Sequence, residues 1–194
     1  MSKGGKREKL EGIDKKVKIC SKCPLHKTRK FPVIGEGNIN AKFMLVGLGP
    51  GYNENLQGRP FVGAAGKFLD ELLELAGLKR EDIYITNVIK CYLPDNNPTK
   101  EEIEACSSYL DRQIEIIKPD IIITLGNIST TYIFQKYGLE PHSMGDVHGS
   151  VFRISNLLQT KIIPMYHPAS ALYNPDMKEG LREDWKNLMN VVQV

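Results

Sequence analysis

The stretch FMLVGLGPGYNENLQGRPFVGAAGKFLDELLELA, from Phe43 to Ala76, holds a strand, a shaped loop and a helix in that order. Phe43–Gly47 is a short apolar run that ends in glycine, as a strand buried on both faces does. Phe68, Leu69, Leu72, Leu73 and Ala76 then recur at threes and fours, which predicts a helix over Ala65–Ala76 with one buried face. The same alternation continues outward. Ile83–Val88, Asp120–Leu125 and Lys161–Met165 read as further strands. Thr99 with Glu102 forms a capping box for a helix that carries Ile103, Cys106, Leu110, Ile114 and Ile117 on one side. Asn127–Tyr137 and Met177–Val192 complete the helices, the last with Leu181, Trp185, Leu188 and Val192 in register. Strands alternating with helices predict an α/β fold around a parallel sheet.

At 194 residues the chain suits one well-buried core. The expectation is a single domain over residues 17–194, preceded by a basic segment, residues 1–16, that is frayed or disordered. No run reaches membrane-span length and the N-terminus lacks a secretory apolar stretch, so a cytoplasmic protein is expected. There the four cysteines are poorly explained as disulfides, which leaves a metal, a cluster or plain core packing. A net charge of +3 permits a polyanionic partner without requiring one.

Each strand runs into a polar or glycine-bearing segment: GLGPG, TNVIKC, LGN and YHPAS. In an open parallel sheet ligands bind beyond the carboxyl ends of the strands, so these segments are expected to meet in one crevice. GLGPG reads weakly as a dinucleotide turn, because Pro50 and the polar residues after Gly51 argue against immediate entry into a helix. The loop through Gly58 and Gly63 fits better as a wall of backbone with Phe61 closing over a flat ligand, although Phe61 also fits a core position. Asn87 offers a donor and an acceptor side by side, the complement of the carbonyl and N–H of uracil. His167, in a turn with Pro168 and Ala169, can donate to a carbonyl oxygen that develops negative charge. His26, His142 and His148 read as solvated.

These motifs, in this order, resemble family 4 uracil-DNA glycosylases, the iron–sulfur branch of that superfamily known mainly from thermophilic bacteria and archaea. The resemblance runs from about Cys20 to Asp184 and rests on the Cys20/Cys23 pair, the GxGPG loop, GRPFVGAAG, TNVIKC, Cys91 with fourteen residues before Cys106, LGN and HPA. It implies a three-layer αβα sandwich with a central four-stranded parallel sheet, a [4Fe-4S] cluster on Cys20, Cys23, Cys91 and Cys106, and hydrolysis of the N-glycosidic bond of uracil in DNA. Phe61 would stack on the flipped base, with Leu48 and Gly49 beside it. Asn87 would read its pairing edge, His167 would stabilise the departing anion, and Glu54 would help hold the attacking water. Pro168, Ala169, Leu172 and Tyr173 would meet DNA, with Leu172 or Tyr173 as the wedge that holds the base out. A monomer acting on single- or double-stranded uracil-containing DNA is expected, with a sliding clamp as a further candidate partner.

Two residues depart from the family pattern. Leu48 stands where a glutamate is usual, and Asn55 replaces an aspartate at what reads as a rim position. Leucine handles no proton, so a slower glycosylase, altered base preference or a non-catalytic lesion binder are alternative outcomes. A nucleotide-binding or redox module is a further reading of the GxGPG turn and the thiols. Spacing alone leaves zinc and iron–sulfur evenly matched for the cysteines, and the resemblance favours [4Fe-4S]. Lys22, Lys27, Arg29 and Lys30 beside them are placed to meet phosphates.

Overall fold

Every residue of Ile121–Leu125 is buried, as a strand with helices over both of its faces must be. The computed structural model describes residues 3–154 and 160–193. Its strands are β1 (Glu36–Gly37), β2 (Phe43–Gly47), β3 (Tyr84–Asn87), β4 (Ile121–Leu125), β5 (Phe152–Arg153) and β6 (Lys161–Met165). They form one sheet in the order β1-β3-β2-β4-β6-β5. The central four are mutually parallel, while β1 and β5 lie antiparallel on the edges. The expected four-stranded sheet is therefore six-stranded. Each added strand has two residues, too short for any periodicity to mark it.

Alternation along the strands sorts side chains into two cores. Met44, Val46, Ile122 and Ile162 face one way, with Leu110 and Ile114 of α4 (Lys100–Ile117) and Phe134 of α5 (Asn127–Lys136). Leu45, Ile85, Ile123 and Ile163 face the other, with Leu69 and Leu72 of α3 (Ala64–Leu75) and Trp185 and Leu188 of α8 (Met177–Gln193). Three layers result. The capping box at Thr99 and Glu102 forms as read, each side chain bonding the other residue's backbone N–H.

The basic N-terminal segment departs from expectation. Lys3–Lys18 is a helix, α1, and it buries Leu10, Ile13 and Val17 in the first core. Lys6 Nζ donates to the carbonyl of Ile117 at 3.0 Å, at the C-terminal end of α4. The apolar residues sit at i, i+3 and i+7, but the lysines between them mask the stripe when the segment is read by composition.

Helix α3 follows β2 onto one face and α5 follows β4 onto the other. The chain thus diverges at the carboxyl ends of two adjacent strands, which opens a crevice there.

Candidate active site

Four strand-end segments line one cavity of about 690 Å³. Leu48, Gly49 and Glu54 come from the β2 exit, Asn87 ends β3, Gly126 and Asn127 follow β4, and His167, Ala169, Leu172 and Tyr173 follow β6. Phe61 enters from the loop before α3. Tyr52–Gln57, which reads as loop, is a short helix, α2, that begins directly after Gly51 and carries Glu54 in its first turn. Six residues are too few for a helical repeat to show.

Glu54 organises the loop that carries Phe61. Its Oε1 accepts from the backbone N–H groups of Val62 and Gly63, both at 2.9 Å. Gly63 is the N-cap of α3 and has no side chain of its own to cap with, so the carboxylate completes that terminus. From the outside, Arg80 Nη2 donates to the carbonyls of Pro60 (2.7 Å) and Phe61 (3.1 Å). Phe61 is held at φ +51°, and its carbonyl lies so close to Gly66 that a Cβ there would collide with it. The Phe61 ring is buried and stacks on His167, centroids 5.6 Å apart and 27° between planes.

His167 is half-buried, and the backbone N–H of Ala169 donates to its Nδ1 at 3.1 Å. The imidazole is therefore neutral with its proton on Nε2. Burial drives its pKa down to about 4, partly opposed by the charge of Glu54. Asn87 is buried at the last position of β3, opposite Gly47. A Cβ on Gly47 would stand 2.5 Å from Asn87 Oδ1 and 3.0 Å from the Phe61 ring, so the glycine is what lets amide and ring approach the strand end. Among the described residues no group hydrogen-bonds the Asn87 side-chain amide, and the amide lines the cavity with its pairing edge unspent. The stacked Phe61 and His167 rings and the Asn87 amide thus face one cavity together.

A family model described as "Uracil DNA glycosylase superfamily" matches residues 34–189. The chain belongs to that superfamily. It is 49% identical over 185 residues to the type-4 uracil-DNA glycosylase of Saccharolobus solfataricus, covering 93% of this chain and 85% of that protein. The type-4 enzymes of Archaeoglobus fulgidus (45% over 183 residues, 93% and 92% covered) and Thermotoga maritima (44% over 170 residues, 87% and 86% covered) are similar in the same way.

Within this uracil-DNA glycosylase fold the two departures have structural readings. Leu48 lines the cavity and packs against the first core through a partly buried side chain. Asn55 is not at a rim. It is buried, its Oδ1 accepts from the N–H of Lys30 at 2.7 Å, and its carbonyl accepts from Phe31 N–H. An amide oxygen serves that purpose as a carboxylate oxygen would, so the change leaves the tether in place. Leu172 and Tyr173, in α7 (Ser170–Tyr173), are 48% and 85% exposed and line the cavity. Pro168, expected at the DNA surface, is buried. His148, read as solvated, holds Asp184 through Nδ1 at 2.7 Å, His26 Nδ1 lies 2.7 Å from the Cys23 carbonyl, and His142 lies against Phe134 and Phe152.

The four cysteines are unpaired, Cys91 and Cys106 buried and Cys20 and Cys23 half-buried against the same core. Burial pushes the thiols of Cys23 and Cys91 up, and that of Cys106 up to about 11, and neighbouring cysteines add to each shift. Arg29 Nη1 donates to Cys91 Sγ at 3.1 Å and the backbone N–H of Lys90 to Cys106 Sγ at 3.2 Å. Among the described residues no three His, Cys, Asp or Glu side chains close to the spacing of a single metal ion.

Lys90 went unread in the sequence. It is wholly buried, with Nζ 2.7 Å from each of Thr86 Oγ1, the Asn87 carbonyl and Gln113 Oε1. Burial drags its ammonium down to about 7, against the charges of Cys106, Asp111 and Asp14. A lysine amid the apolar residues Val88, Ile89, Cys91 and Leu93 was the available signal.

Proposed function

We propose that this chain flips uracil out of DNA and hydrolyses its N-glycosidic bond, the activity named for its type-4 relatives. The observation that carries this reading is the Ala169 N–H bond to His167 Nδ1, in a cavity that also holds the Phe61 ring and the uncommitted Asn87 amide. Phe61 stacks on the extruded base. Asn87 accepts from the uracil N3–H and donates to the adjacent carbonyl. Cytosine presents the opposite order and would leave buried groups unpaired, so it is rejected.

The bond between C1′ and the base nitrogen breaks with its electron pair moving onto the uracil ring. An oxocarbenium-like sugar is left behind. His167 Nε2–H donates to the ring carbonyl oxygen where the charge collects, and a neutral donor does this without transferring its proton. Water adds to C1′ and loses a proton to solvent. Glu54 is the carboxylate nearest this event: Oε1 is committed to the loop, and Oε2, beside Gly51, is left to orient the water. Positioning and charge stabilisation carry the rate, which is why Leu48 is compatible with activity. Leu172 and Tyr173 fill the space the base vacates.

The thiol group fits a [4Fe-4S] cluster. Four unpaired cysteines share one partly buried region, and N–H donors from Arg29 and Lys90 already point at two sulfurs. Cys20, Cys23, Cys91 and Cys106 would hold the cluster, which when bound supplies a structural cross-link between the segment after α1 and the segment after β3. The test of function is release of uracil from U·G, U·A and single-stranded oligonucleotides, followed by alkaline strand cleavage. Cleavage confined to uracil and reduced at least about 10²-fold by Asn87→Ala is expected. Intact strands under wild-type protein with a full cluster would overturn the reading.

A further inference from the structure

The motif TNVIKC carries, at Lys90, the most enclosed lysine among the described residues. Lys90 has no exposed surface, and its three N–H bonds are each met by an acceptor at 2.7 Å: Thr86 Oγ1, the Asn87 carbonyl and Gln113 Oε1. Two of those acceptors are themselves anchored. Gln113 Nε2 donates to the carbonyl of Ile34 at 2.9 Å and to Tyr84 Oη at 3.2 Å. Thr86 Oγ1 also lies 2.9 Å from the Ile34 carbonyl and 3.0 Å from Gln113 Oε1. The third acceptor is the main chain of the residue whose side chain reads the base. Methionine would fill the same volume without the cost of desolvating an amine, so a buried lysine here needs a reason beyond packing.

We propose that Lys90 is a positioning residue for uracil recognition: it pins the Asn87 peptide to α4 and so aims the Asn87 amide into the cavity. The amide has no hydrogen bond of its own among the described residues, so its direction follows from the backbone that bears it and from its contact with Gly47. The Asn87 carbonyl closes β3; the next amide, Val88 N–H, donates to the Gly47 carbonyl at 3.0 Å, and Lys90 reaches back to the Asn87 carbonyl at 2.7 Å. This inference rests on the reading of the cavity as a uracil site.

The experiment is a double-mutant cycle on the full chain, with Lys90→Met and Asn87→Ala singly and together. Two affinities are measured for each protein, one for free uracil and one for an oligonucleotide carrying a tetrahydrofuran abasic analogue, which offers nothing to the amide. In folded Lys90→Met the uracil affinity is expected to fall about tenfold, the weight of one misaimed buried hydrogen bond. Abasic-DNA affinity should stay within about twofold. In the Asn87→Ala background Lys90→Met should change uracil affinity by less than about twofold. Equal losses for both ligands, full additivity with Asn87→Ala, or an unchanged uracil affinity in folded Lys90→Met would each overturn the proposal. Should Lys90→Met fail to fold, Gln113→Met removes one acceptor at a distance from Asn87. A loss of about threefold, confined to uracil, is then expected, and no loss refutes. A wild-type protein that neither binds nor releases uracil would instead defeat the functional reading, and this inference with it.

Discussion

His167 shows how one backbone contact decides a chemical role. With Nδ1 accepting from Ala169 and burial holding the pKa near 4, the ring is a neutral Nε2–H donor across the physiological range. Because the folded value lies below the ordinary 6.5, the unfolded chain takes up a proton first as pH falls. The stability that neutral His167 contributes is complete above about pH 6.5 and is lost between about 6.5 and about 4. The acid limb of kcat that reports this ring is expected near pH 4, with no inflection at 6.5. His167→Gln should lower kcat about 10²- to 10³-fold, and the wild-type-minus-variant difference in denaturation midpoint should shrink across that same window. An inflection near 6.5 that disappears in the variant would show a solvated, titrating histidine. At this scale the placement of Phe61, Asn87 and His167 at one crevice was legible, because each stands at a strand end or in a glycine-bounded loop. It was silent on Lys90, whose partner Gln113 is far along the chain, and on Asn55, whose partners Lys30 and Phe31 precede it by more than twenty residues.

Among elements, α1 differs most from its composition. Its lysines suggest a solvated tail, whereas Leu10, Ile13 and Val17 close the first core over α4. Ile13→Ala is expected to cost about 2–4 kcal/mol in urea unfolding, as a buried aliphatic truncation does. A change below about 0.5 kcal/mol would mean that the helix is not docked. Helix α4 shows the opposite case, since its capping box and its apolar stripe both survive into the structure as read. Local signals of that kind need no knowledge of the rest of the fold. Edge strands β1 and β5 have none, being defined only by the neighbours they pair with.

Across the whole molecule, the thiol region joins parts of the chain that are distant in sequence and reaches the cavity by two routes. Asn55 ties the loop after Cys23 to α2, which carries Glu54, and Lys90 ties the segment of Cys91 to the end of β3. Anaerobically purified protein is expected to be brown, with about four iron and four acid-labile sulfide per chain, and iron removal should lower Tm. Zinc at about one per chain, with no sulfide, would refute the cluster. No helix among the described residues is long and apolar enough to cross a membrane. The alternation of apolar runs with helical periods was enough to specify an α/β fold with four parallel strands and one crevice at their carboxyl ends, because burial on one or two faces writes itself into local spacing. Which nitrogen of His167 holds the proton, where Glu54 Oε1 is spent, how Phe61 is forced to positive φ and what grips Asn87 came from the folded chain alone. Each depends on hydrogen bonds or collisions between segments that no local pattern connects.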